Sequence, residues 1–482
     1  MRKSLFGNFI LFLALVSLSA CSTNPATGKS QFTALMSPQQ EQQVGNQEHQ
    51  NVLRQFGEYN NPALQAYVRD IGHKVTQKTE RADVQYKFFV IDSPIVNAFA
   101  LPGGYIYVSR GLLALADNEA ELAAVLSHET GHITARHSAE RYSHSVLTSL
   151  GAAVLSAAVD SSGVSQALGL GSNLYLSSYS RSQENEADSL GLRYMTRGGY
   201  DPAAMASFLT SLQDQTVIES RAEGREAVQA SYFSTHPATV ERVNKTKSEA
   251  ASYGQGGVVG HDSYLMAIDG MIYGDSPAQG FVRGRSFLHP SIGFGFDAPA
   301  GFRLVNQPAQ VIATSDNGSV IVFDMAPGGD SPDAFTYLTQ GWMKGAAKDA
   351  ERISVNGMNA ATASFPGSVN GQPVTIRLLA IQWSPKQFAR FQIAIPQNAS
   401  SGLIESLKAA SYSFRRLGEA EKQALKPYVL RVVTAQPGDT VATLSSSQPF
   451  DDLREERFRV LNALDSDDQL VPGQKYKVVR SQ

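Results

Sequence analysis

One cysteine, Cys21, is all that 482 residues contain, so no disulfide can close within the chain. Charge of one sign is also missing: the formal net charge is -3, with no polybasic footprint for nucleic acid and no acidic, disordered tail. No apolar run reaches the roughly 18 to 20 residues needed to cross a bilayer, so a spanning helix is excluded. What remains is an ordinary globular composition on a chain long enough for two or three domains.

Two basic residues, the short apolar run Phe9 to Leu18 and small residues ahead of Cys21 read as a secretory signal over residues 1–20. Leu18-Ser19-Ala20-Cys21 resembles a bacterial lipobox. That likeness implies lipidation of Cys21 and, with Ser22 following, sorting to the outer membrane and a working face in the periplasm. Residues 21–37, polar and rich in Pro, Gly and Ser, read as a lipidated tether.

From Pro38 to about 252 the patterning is helical with one strong strand signal, and the Gly-rich Tyr253 to Gly260 marks a boundary. Residues 253–290 read as linker. Within the first stretch, Val146 to Val159 could be an apolar helix, either packed core or a cover over a cleft. Over residues 291–417, runs such as SVIVFDMAP and FARFQIAIP alternate with helical patterns at Asp333 to Lys348 and Ser401 to Ala410, which predicts an α+β accessory domain. Its outline resembles PsbP or Mog-type domains. Residues 428–482 form a last β-α unit. The whole chain is therefore expected to be α+β, with a mainly helical first domain carrying a small sheet.

The chemistry concentrates in HETGHITARH, residues 128–137. Asn118 and Glu121 have capping-box spacing ahead of Leu122, Val125, Leu126 and Ile133, so His128 and His132 fall one helical turn apart on one face. Side chains at that spacing start about 5 to 6 Å apart. Both rings can therefore reach a single zinc at about 2.0 to 2.1 Å. Glu129 lies about 100° around the helix, off the metal but close to a water held there. Gly131 costs about 1 kcal/mol relative to Ala in a helix interior, which fits the close approach of another backbone or a substrate. His137, five residues past His132, lies off this face and reads as structural or solvent-facing. A third ligand is best sought in SRSQENEADSL, residues 180–190, where Glu184 and Asp188 share a helix face and Glu186 turns away. Glu184 could bind the metal while Asp188 holds a histidine tautomer.

HETGH followed by SRSQENEAD resembles the gluzincin peptidases of the HtpX, BepA and CAAX-prenyl-protease type, over roughly residues 21–250. The resemblance implies His128, His132 and Glu184 as ligands of one Zn2+ per chain, Glu129 as general base and Asp188 as the acid behind them. NAFALPGGYIYV, residues 97–108, is similar to the family's strand before the active helix. It implies a substrate-binding strand with Asn97, Ala98, Phe99, Gly103, Gly104 and Tyr105. STHPATVERV, residues 234–243, is similar to its histidine motif, leaving His236 as either an oxyanion stabiliser or an occupant of the open zinc position. Asn24-Pro25-Ala26-Thr27-Gly28 is similar to the start of periplasmic lipoprotein members. At the other end, VLRVVTAQPGDTVATL through LVPGQKYKVV resembles a LysM-like module, which implies possible peptidoglycan binding.

Together these imply a zinc metalloendopeptidase of the bacterial envelope that hydrolyses peptide bonds with a Glu-activated water. Its expected substrates are misfolded or stalled envelope proteins. A binding or chaperone-like lipoprotein with a latched or weakly active peptidase domain is the competing expectation.

Overall fold

The computed structural model describes residues 22–146, 178–223, 232–236, 240–254, 256–344, 349–369 and 371–482. The expected signal, Cys21 and nearly all of the apolar stretch beginning at Val146 lie outside them. No helix among the described residues is long and apolar enough to cross a membrane. The chain is a mixed α+β protein and divides into two compact units: residues up to 274 with 428–481, and residues 275–427.

In the first unit, a three-stranded sheet sits beside the helices. Tyr105–Ser109 is its middle strand, parallel to Lys87–Ile91 and antiparallel to Ala98–Leu101. Ala98–Leu101, within the expected substrate-binding segment, lies at an edge of this sheet. All five residues of Tyr105–Ser109 are buried, as are all four of Ala98–Leu101. Gly103 and Gly104 have φ of +81° and +98°, and a Cβ on either would press into the backbone of Gln42 or Gln85. Their turn packs against the backbone of residues 42 and 85.

The helix Glu119–Thr134 is buried along its entire length. Asn118 caps it by accepting from the Glu121 N–H at 2.9 Å. Glu121 does not complete the expected capping box, since its carboxylate accepts from the N–H of Asp117 at 2.8 Å. The remaining first-turn donors are met by the segment read as linker: the N–H groups of Glu119 and Ala120 donate to the carbonyls of Gly260 and Val259. Residues 256–274 are therefore part of this unit, and contribute the helix His261–Ile268 and the short strand Ile272–Tyr273.

The residues read as a tether are folded as well. Ser22–Thr23 pairs with Ser30–Gln31, and Asn24, Ala26, Gln31, Thr33 and Met36 are buried. Composition misled here because the Asn24 side chain accepts from the N–H groups of Ala26 and Thr27, building a turn that Gly28 completes at φ +72°.

The last fifty residues run strand, helix, helix, strand, with the second helix, Arg454–Leu461, beginning inside the charged stretch. They do not stand apart. Tyr428–Thr434 pairs with Lys475–Ser481 on one side and with Ile272–Tyr273 on the other. Lys477, fully buried, donates to the carbonyls of Ala114, Leu115 and Ala116, the end of the short helix before the active one.

The second unit carries a seven-stranded antiparallel sheet and a four-stranded sheet. It begins at 275 rather than 291 because Phe281–Arg283 and Ser286–His289 belong to the smaller sheet. Ser401–Tyr412 is helical, whereas the other expected helix is reduced to Ala334–Thr336 and a π-helical turn, Tyr337–Trp342. Phe294, Phe296, Phe323, Phe391 and Phe414 fill its core.

Candidate metal centre

Two helices cross at the site. A Cβ on Gly131 would meet the Ala187 carbonyl oxygen at 2.9 Å, and one on Gly191 would meet the His128 nitrogen at 3.1 Å. The two glycines let Glu119–Thr134 and Arg181–Arg197 approach backbone to backbone, which resolves the question raised by Gly131. Ser180 opens the second helix with a capping box to Gln183, and Glu184 sits in its first turn.

That approach brings four groups together. His128, His132, Glu184 and His236 are all buried, and each offers one ligand atom within 4.8 Å of the others. The two Nε2 atoms of His128 and His132 are 3.0 Å apart. Glu184 Oε1 is 3.4 Å from His132 Nε2, and Oε2 is 3.7 Å from His128 Nε2. Atoms bound at about 2.0 to 2.1 Å around a tetrahedral centre lie about 3.3 Å apart, so the spacing suits one small cation. His236 Nδ1 lies 3.0 Å from Glu184 Oε1 and 3.3 Å from His128 Nε2, at the remaining corner. Two nitrogens and a carboxylate are a donor set that zinc accepts. Both oxygens of Glu129 and Nε2 of His236 are buried without a hydrogen-bond partner. His236 Nε2 and Glu129 Oε1 face each other at 3.4 Å, and a water held on a cation at the cluster would give the Glu129 carboxylate a hydrogen-bond donor.

The surrounding charges are paired. Asp188 Oδ1 is 2.9 Å from His128 Nδ1, and both Asp188 oxygens accept from Arg242, at 2.6 and 2.8 Å. Burial alone would raise Asp188, but Arg242 holds it at about 2. Arg242 also reaches Glu184 Oε2 at 2.5 Å. Burial works against Glu184 too, and is outweighed by His236 and Arg242, which keep this carboxyl well below its ordinary value. Burial opposes protonation of His128, yet the hydrogen bond to Asp188 and the charge of Glu184 raise it; burial drives His132 far down. Glu129 is raised by burial, which His236 and His128 offset only in part.

Of the residues anticipated from sequence, His128, Glu129, His132, Glu184, Asp188 and His236 converge. Tyr105, Gly103 and Gly104 do not. Arg242 stood inside the quoted histidine motif without a role. Tyr179, stacked on the His132 ring at 3.6 Å, and Tyr232, stacked on His236 at 4.4 Å, carried no signal in the sequence. Of the two readings left for His137, structural or solvent-facing, the structure has the buried one: His137 is fully buried, 2.9 Å from His132 Nδ1, and its Nε2 is 3.1 Å from Oε2 of Glu186, which points away from Glu184 and Asp188. The His137 bond holds Glu186 at about 2, against a smaller cost of burial. The helix unwinds into a turn after Thr134, with Arg136 at φ +57°, which swings His137 back toward His132.

A putative beta-barrel assembly-enhancing protease of Vibrio cholerae is 31% identical over 217 residues, covering 43% of this chain and 43% of that protein. The beta-barrel assembly-enhancing protease of Escherichia coli K12 is 29% identical over 235 residues, 46% of this chain and 48% of its own length. A mitochondrial metalloendopeptidase OMA1 from Schizosaccharomyces pombe is 33% identical over 208 residues, 42% of this chain and 59% of that protein. The chain thus spans about half the length of these curated relatives. A cyanobacterial PsbP from Synechocystis superposes on 28% of this chain and 98% of its own with a TM-score of 0.22 at 12% identity, too loose a fit to support an assignment. Residues 62–250, which hold both helices of the site, match the description Peptidase family M48, and over that span the chain carries an M48 peptidase domain.

Proposed function

We propose that this protein is a zinc metalloendopeptidase of the bacterial cell envelope. One observation carries the reading: His128, His132 and Glu184 bring two imidazole nitrogens 3.0 Å apart and a carboxylate with one oxygen 3.4 Å and the other 3.7 Å from them to one buried point, beside the buried carboxylate of Glu129. Zinc bound there would supply Lewis acidity toward the scissile carbonyl and bring the pKa of an attacking water down toward about 7.

The protein's own groups then divide the work. Asp188, fixed by Arg242, accepts from His128 Nδ1 and so leaves Nε2 free to ligate. Glu129 takes a proton from the attacking water and returns it to the leaving amine. Its elevated proton affinity, caused by burial, suits a group that must first accept and then donate. The edge strand Ala98–Leu101, with Asn97 before it and Ala98 and Phe99 within it, can hold an extended peptide through backbone hydrogen bonds. Lipidation at Cys21 would hold the enzyme at the periplasmic face of the outer membrane. The likeness to relatives named as beta-barrel assembly-enhancing proteases supports envelope proteins as this chain's substrates, and we propose misfolded or stalled ones. Casein digestion with and without a chelator tests the activity: cleavage lost on chelation and regained with zinc is expected, and chelator-resistant cleavage would refute the reading.

A second reading draws on His236, whose Nδ1 stands at the fourth corner of the cluster. A ring there can occupy the position that substrate needs, leaving a latched peptidase and a protein that acts chiefly by binding. His236→Ala separates the two: faster casein cleavage marks a latch, and slower cleavage marks an oxyanion stabiliser. Peptidoglycan binding by residues 428–482 belongs with this reading, and a pull-down with insoluble cell wall decides it.

A further inference from the structure

The two histidines of the cluster are supported differently. His128 has a carboxylate directly behind it, whereas His132 Nδ1 faces a third ring, His137, and only beyond that ring does it find Glu186. A neutral imidazole that offers Nε2 to a cation must carry its proton on Nδ1. Among the described residues, the acceptor facing that proton on His132 is Nδ1 of His137, 2.9 Å away. His137 must then hold its own proton on Nε2, and Glu186 Oε2 at 3.1 Å accepts it. One carboxylate thereby fixes two tautomers and two ring orientations.

We propose that His137 and Glu186 are positioning residues for His132, forming a relay that matches Asp188 behind His128. This rests on the metal-site reading above. The outer wall of the relay is the folded start of the described chain. Ala26 packs with Ala135, Leu190 and Tyr194, the Asn24 amide donates to the Ala135 carbonyl at 3.4 Å, and Arg193 donates to the Ala26 carbonyl at 3.2 Å. Lys29 Nζ lies 3.4 Å from Glu186 Oε1, but the lysine is 73% exposed and its pairing is correspondingly weak. Residues that directly follow Cys21 thus bear on a candidate zinc ligand.

The test measures zinc affinity by chelator competition on the full chain, comparing wild type with Glu186→Ala, Glu186→Gln and Glu184→Gln. Removing a group behind a ligating histidine weakens metal binding about 10- to 100-fold. Glu186→Ala should show that loss, with a shifted visible spectrum of the Co2+-substituted protein. Glu186→Gln keeps an acceptor for His137 and should restore most of the affinity; if the alanine variant does not fold, His137→Phe, which removes the middle ring of the relay, provides the reading, with the same loss expected and wild-type affinity overturning the relay. Wild-type affinity and an unchanged cobalt spectrum in both Glu186 variants, with zinc lost in Glu184→Gln, would overturn the relay alone. Zinc retained in Glu184→Gln would instead overturn the metal site on which it rests.

Discussion

Both units have apolar cores, but they differ in what else they bury. In residues 275–427 the core is aromatic: Phe296 and Phe323 lie 4.8 Å apart, Phe323 and Phe391 4.9 Å. Around the helix Glu119–Thr134 the interior instead holds His128, Glu129, His132, Glu184, Asp188, His236 and Arg242, all below one tenth exposed. Burying ionisable groups is costly unless each is paired, and a hydrophobic interior of equal volume is often at least as stable. The first unit therefore accepts an interior that stability alone would not select. Cost without structural return is the signature of a working site.

Glu129→Gln should give the largest effect. General acid–base catalysis contributes about 10²- to 10⁴-fold, so casein turnover is expected to fall by at least that factor while bound zinc, measured by metal analysis, stays at the wild-type level. Loss of zinc together with activity would move Glu129 from base to ligand. On the apolar side of the comparison, Phe391→Ala removes a fully buried ring and should cost about 3–5 kcal/mol, read from the urea midpoint of the second unit with zinc affinity unaffected.

Glu121 sharpens the contrast, since it is buried in the first unit away from the cluster and burial pushes it up to about 7, aided by Asp117. An acid whose folded value lies above its unfolded value penalises folding as pH rises. Nothing is lost below about 4.5, the penalty grows between 4.5 and 7, and it is complete above 7. At about 1.36 kcal/mol per pH unit, Glu121→Gln should stabilise the protein by up to about 3 kcal/mol at pH 8 and by nothing at pH 4, in parallel denaturant titrations. Equal stabilisation at both values would show that charge is not the cause. Gly131→Ala should have the smallest effect, about 1–3 kcal/mol of destabilisation, because the new methyl presses on Ala187. A neutral or stabilising result in thermal unfolding would mean that the two helices can part.

The local arithmetic of the site was readable in the sequence because helical spacing turns directly into geometry: His128 with His132, and Glu184 with Asp188, each share a face. The strand order was not. Nothing in Tyr105–Ser109 says that a parallel partner at Lys87–Ile91 covers its other edge. Partners far apart in the chain escaped for the same reason. Lys477 reads as an ordinary strand lysine, yet it holds carbonyls at 114–116, and Asn24 to Gly28 reads as a tether although its turn packs against Ala135 and Leu190. Composition describes what a segment prefers alone; these segments are ordered by what they meet.

X-ray absorption at the zinc edge of the purified protein tests the central claim most directly. The account predicts one zinc per chain with a four-coordinate shell of nitrogen and oxygen at about 2.0–2.1 Å and the outer scattering of at least two imidazoles. A protein that copurifies with no zinc and takes up none, or a shell without imidazole scattering, would contradict it.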